Sequence, residues 1–232
     1  MGKAGPLQWR DGRGWLVLVG GGTLDETADI ARAAIEAMSD ESPAVFVPTA
    51  SATPEAGRDE GARVVAQIEE MGGPAGYVAP IFTRTDATDP KNTRRLMNAG
   101  LVYLGDGLAQ RLVEMLADTP TFDALAAAYR AGAVIVAAGQ AASALGAWCL
   151  SARDVGLLRG WGWLPDAIVC PAFGDATAPA LRAALKSRLE CLGLGIPRGV
   201  ALALGPENQV RTLSAGGAQV TVVLGPRLRQ GS

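Results

Sequence analysis

Residues 132–146 read GAVIVAAGQAASALG, from Gly132 to Gly146. Ala133 to Ala138 is an unbroken apolar run with Val134, Ile135 and Val136 at its centre. A β-branched run without alternation is what a strand buried on both faces requires. Gly139 and Gln140 interrupt it, and Ala141 to Cys149 reads as a small-residue helix. Strand, glycine turn and helix in that order give the geometry of a nucleophile elbow, where a sharp turn lifts one side chain above a parallel sheet. The apex here is Gly139, which has no side chain to lift.

The flanking sequence repeats the strand-then-helix alternation. Trp15 to Val19 is a short strand running into Gly20-Gly21-Gly22, and residues 25–38 carry apolar positions at helical spacing. The three glycines lack the GxGxxG and GxxxxGK[ST] patterns, so they read as a backbone turn at the sheet edge and not as a phosphate cradle. Ala44 to Pro48 is a second strand, followed by a helix that Pro54 opens and that Val64, Val65, Ile68 and Met71 stripe. Tyr77 to Phe82 and Leu101 to Leu104 are the next strands, the latter feeding Asp106-Gly107 and a helix from Leu108 to Leu116. Phe122 to Arg130 is a helix leading into the central strand. Beyond it come a strand at Ala167 to Cys170, a helix at Pro179 to Leu192 and a strand at Val200 to Leu204. Gln209 to Leu213 and Gln219 to Leu224, joined by Ser214-Ala215-Gly216-Gly217, read as a closing hairpin. This order predicts one α/β domain over residues 1–232, three-layered, with a mostly parallel sheet, helices on both faces and a C-terminal β-hairpin.

Composition removes whole classes of chemistry. The chain has 232 residues, 49% hydrophobic and 19% charged, with formal charge -2 and no histidine. Without an imidazole it cannot run Ser-His or Cys-His catalysis, nor bind a metal through histidine. The mild acidity and the absence of a basic stripe argue against nucleic acid and anionic membranes as partners. Residues 131–150 hold no charge over a bilayer-length span, but Ala, Gly and Gln140 make a buried strand-turn-helix unit the better reading. Cys149, Cys170 and Cys191 are odd in number and lack CxxC spacing, which points to buried thiols in the reducing cytoplasm. The first residues carry no apolar signal-peptide core. No cofactor or metal site is expected.

Over roughly Trp15 to Leu224 the order of elements resembles the peptidase S51 family, the dipeptidase E and cyanophycinase relatives. The glycines after the first strand, Val47-Pro48-Thr49-Ala50-Ser51 at the end of the second, and the closing hairpin carry the resemblance. It implies a fold like the class I glutamine amidotransferases, flavodoxin-like in outline. It also implies a serine in an elbow like G-T-S-A-G-A, which falls on Ala137-Ala138-Gly139-Gln140-Ala141-Ala142 and puts Gly139 at the nucleophile position. The family's histidine, in a segment like P-H-F, falls on Ala172 of Pro171-Ala172-Phe173. Its Gly-Gly-Asp-Gln-like oxyanion loop corresponds to Asp106-Gly107-Leu108-Ala109, and a later acidic position falls near Pro197-Arg198. Nucleophile, base and part of the oxyanion loop are thus replaced together.

The resemblance therefore implies a catalytically inactive homologue that keeps the fold and a cleft formed by Gly21, Asp106, Gly107, Gly139, Gln140 and Ala172. A small peptide-like ligand and a homodimer are the expected partners. The alternative is a peptide or isopeptide hydrolase working with substituted residues. Candidates for that role are Ser143 with one of Lys3, Lys91 or Lys186, a Cys170 thiolate, or a carboxylate site from Asp106 and Asp175. Trp161 and Trp163 read as core packing, with a pocket wall or oligomer interface as the other possibility.

Overall fold

The structure, a computed structural model, describes residues 2–150 and 156–229. Its strands are β1 (Gly2–Ala4), β2 (Leu7–Trp9), β3 (Leu16–Val19), β4 (Ala44–Val47), β5 (Gly76–Val78), β6 (Leu101–Leu104), β7 (Val134–Ala138), β8 (Gly146–Leu150), β9 (Leu157–Arg159), β10 (Leu164–Pro171), β11 (Leu192–Ile196), β12 (Val200–Leu204), β13 (Val210–Ser214) and β14 (Thr221–Leu224). Its helices are α1 (Ala28–Glu36), α2 (Pro54–Glu70), α3 (Pro90–Met97), α4 (Ala109–Leu116), α5 (Pro120–Ala131), α6 (Gln140–Ala144) and α7 (Ala178–Ser187).

A seven-stranded sheet, order β13-β12-β3-β7-β6-β4-β5, carries the elbow strand β7 between β3 and β6. β3, β7, β6, β4 and β5 run parallel, whereas β12 joins β3 antiparallel. Side chains alternate between two buried faces, as the period of a strand demands. Leu16, Leu18, Ile135 and Ala137 pack towards Leu112 of α4 and Leu125 of α5. Val17, Val19, Val134 and Val136 pack towards Ile30 of α1 and Val64 of α2. Helices thus cover both sides of an α/β sheet. Three of them open on a side-chain cap followed by proline: Thr53, Asp89 and Thr119 accept from Ala56, Lys91 and Phe122 N–H.

Several expected elements are corrected. The closing hairpin does not exist: β13 pairs with β12, while β14 pairs with β11 in a second, five-stranded sheet of order β14-β11-β10-β8-β9. Alternation gives strand character to both segments but does not choose partners; the chain between them crosses from one sheet to the other. The helix after the elbow stops at Ala144, and residues from Gly146 form β8 beside β10. A Cβ on Gly146 would press on the Ala167 carbonyl oxygen at 2.8 Å, and the run Trp148-Cys149-Leu150 favours a strand. β5 ends at Val78, short of Pro80, which has no N–H for a ladder. The uncharged stretch 131–150 is divided among the end of α5, β7, α6 and β8, and no helix among the described residues is long and apolar enough to cross a membrane.

Candidate functional site

The elbow forms at the C-terminal end of β7. Gly139 has φ 51° and ψ −126°, and its N–H donates to Val19 O at 3.0 Å. L side chains rarely adopt that backbone, so glycine holds the turn without strain. A Cβ built on Gly139 would overlap the carboxylate of Asp106. Asp106 follows β6, whose end lies beside that of β7. Its Oδ1 accepts from the Gln140 N–H and from the Gly107 N–H, each at 2.7 Å. Gly107 has φ 145°, and a Cβ there would collide with the Ala50 carbonyl oxygen, so the loop also needs glycine. Two backbone N–H groups converging on one oxygen is the arrangement of an oxyanion hole. Here the occupant is a carboxylate of the chain itself.

A second carboxylate stands behind the first. Glu60 of α2 accepts from the Asp106 N–H at 3.2 Å. Burial pushes the Glu60 carboxyl above its ordinary value; the Asp106 N–H opposes that rise and the Asp106 carboxylate adds to it. The Tyr103 phenol is likewise pushed up by burial, with Glu60 and Asp106 contributing. Sequence reading missed Glu60, which on an amphipathic helix looks like part of a solvated face; only its placement across 46 residues from Asp106 reveals it. Glu60, Tyr103 and Asp106 line a cavity of about 340 Å³ together with Gly21. Gly107 and Gln140 line a separate cavity of about 260 Å³ on the other side of the turn.

Ala172 follows β10, is exposed, and has φ 48°. Its N–H donates to Gly20 O at 2.8 Å. A Cβ on the next residue, Gly21, would stand 3.8 Å from the Gly139 Cα. Gly139 and Ala172 therefore flank one Gly20-Gly21 turn, although Ala172 lines neither cavity. Gly20 packs so closely on the Pro197 carbonyl oxygen that a Cβ would collide with it, which accounts for the glycine run by backbone approach. The neighbouring Arg198 donates from Nη2 to Glu26 Oε2 at 3.3 Å.

The substitute chemistries find little support in this geometry. Ser143 is fully buried, and its Oγ donates to Gln140 O at 2.7 Å within α6. Lys91 and Lys186 are exposed, and Lys3 lies in β1. Cys149, Cys170 and Cys191 are free and buried; burial raises all three thiols, Cys149 to about 12. Asp175 sits exposed ahead of α7, whereas the carboxylate neighbour of Asp106 is Glu60. Trp163 is buried, and Phe122 meets Trp161 edge-on at 5.0 Å, so the tryptophans serve core packing. No group of three or more metal-ligating side chains occurs among the described residues.

A strand-turn-helix elbow beside converging amides, on a parallel sheet buried by helices on both faces, defines the architecture of an α/β protein built for an elbow nucleophile. The sequence profile of Peptidase family S51 matches residues 16–211, and the chain belongs to that family. Among solved structures, a peptidase from an acI-B1 actinobacterium superposes with TM-score 0.70 at 19% identity, over 90% of this chain and 97% of that one. A protein of Listeria monocytogenes EGD-e assigned by name to peptidase E superposes with TM-score 0.54 at 14% identity, over 91% of this chain and 98% of that one. These likenesses show the fold. No curated protein sequence matches the chain.

Proposed function

We propose that this chain is a catalytically inactive S51 homologue, one domain over residues 1–232, that keeps a ligand-binding cleft. The observation that carries the reading is the Asp106 carboxylate, which fills the space of a side chain at position 139 and engages the Gln140 and Gly107 N–H groups. Gly139 offers no attacking atom, Ala172 no proton carrier, and the chain has no histidine elsewhere. An acyl oxygen seeking the two amides meets a negative charge already there. The buried free thiols support a reducing, cytoplasmic setting. Family analogy and the exposed valines of two edge strands, Val210 at 42% and Val222 at 55%, support a homodimer. The test is labelling with a serine-directed phosphonate. The protein mass should stay unchanged; a stoichiometric adduct on any residue of the cleft would overturn the reading. The second reading, a hydrolase with substituted residues, draws on the Glu60–Asp106 pair, whose environments differ.

A further inference from the structure

The cavity of about 260 Å³ beside the elbow is lined by a guanidinium that pairs with no carboxylate among the described residues. Arg111, in the first turn of α4, lines it. Its Nε donates to Thr49 O at 3.0 Å and its Nη2 to Phe82 O at 3.0 Å. Those two carbonyls, at the ends of β4 and of the segment after β5, hold the guanidinium in place. Nη1 has no acceptor among the described residues, and no carboxylate there forms an ion pair with Arg111. Neutral carbonyls satisfy two of its N–H groups but leave its charge available to an anion. Around it the wall is apolar: Leu108, Met115, Leu150 and Leu158. Glu114, the cavity's one carboxylate among the described residues, is exposed and accepts from Gln110 Nε2 at 2.8 Å.

We infer that this cavity binds a small monocarboxylic acid with an apolar tail, its carboxylate on Arg111 and its tail along Leu108, Met115, Leu150 and Leu158. The guanidinium is preorganised, so a planar carboxylate meets it without further ordering of the side chain. Tail burial against four apolar side chains supplies the rest of the affinity. The volume of about 260 Å³ leaves room for a carboxylate with an apolar tail of several carbons. A free amino acid or dipeptide fits less well, since among the described residues its ammonium finds only Glu114, already engaged by Gln110. This ligand assignment rests on the cleft being one that binds without reacting.

Titration calorimetry on the full chain tests it, with octanoate, acetate, octylammonium and glycyl-leucine as probes. Octanoate is expected to bind at least about tenfold more tightly than each of the others, the step that 1.4 kcal/mol represents. Arg111→Met should weaken octanoate by a similar factor. Because Arg111 also ties two carbonyls, Leu158→Asp serves as a second variant: it alters the wall, leaves those bonds intact and should also weaken octanoate. The inference is overturned if acetate matches octanoate, if octylammonium or glycyl-leucine binds more tightly, or if a folded variant of each kind binds octanoate like the parent. Hydrolysis of a peptide by this chain would defeat the inactive-homologue reading while leaving octanoate affinity measurable. Failure of octanoate to bind would overturn the inference and leave that reading standing.

Discussion

At the scale of single residues the site is governed by two carboxylates. Asp106 is held by backbone amides, whereas Glu60 is half-buried behind it and raised by that burial. The folded chain binds a proton at Glu60 more tightly than the unfolded chain does. Its contribution to stability is therefore fully present below the ordinary glutamate value of 4.5 and is lost as the pH rises through the raised folded value. Glu60→Gln keeps an acceptor for the Asp106 N–H but stays neutral. It should raise the thermal midpoint relative to the parent at pH 8 and leave it nearly unchanged at pH 4. Equal differences at both pH values in thermal melts would contradict the assignment. The sequence exposed Asp106 as a residue after a strand, where ligands gather in parallel sheets. It could not expose Glu60, because nothing local distinguishes that glutamate from the others on α2.

At the scale of the element, the elbow shows what a glycine changes. A serine at φ 51° would carry strain of about 1–3 kcal/mol, which Gly139 avoids. Restoring Gly139→Ser with Ala172→His meets a further obstacle, since the serine Cβ overlaps the Asp106 carboxylate. Position 172 is more permissive: it is exposed, and histidine tolerates its left-handed backbone better than most side chains do. The double variant should therefore fold less stably than the parent and resist the phosphonate. Adding Asp106→Ala should clear the overlap, free the Gln140 and Gly107 amides and bring labelling of Ser at 139. If the double variant labels as fast as the triple, Asp106 does not block the site. If the new hydroxyl and imidazole stand more than about 6 Å apart in a crystal structure, beyond hydrogen-bond reach, the pairing of these positions is wrong. The β-branched centre of β7 made this strand plain, and Gly139 marked its end. The extent of α6 was not plain, because Ala141 to Cys149 is apolar in either conformation and contact with β10 decides where the helix stops.

At the scale of the whole molecule, order along the chain was legible and partner choice was not. Parallel strands alternating with helices followed from the spacing of apolar residues, down to Pro54 behind its Thr53 cap. The two last strands read as a hairpin because both alternate. Only the completed sheets show that β12 and β11, each an open edge, take one strand apiece. The exposed edges β13 and β14 that result are where a second copy would add. Sedimentation at micromolar concentration should give a dimer, and a pure monomer would remove that proposal. Whether this S51 chain lacks S51 chemistry is decided by a turnover assay. Dipeptides, isopeptides and acyl esters are incubated with the purified protein, and cleavage is counted against buffer. No cleavage above buffer is expected. Cleavage that copurifies with the chain and disappears in Asp106→Ala or Glu60→Gln would contradict the inactive-homologue reading.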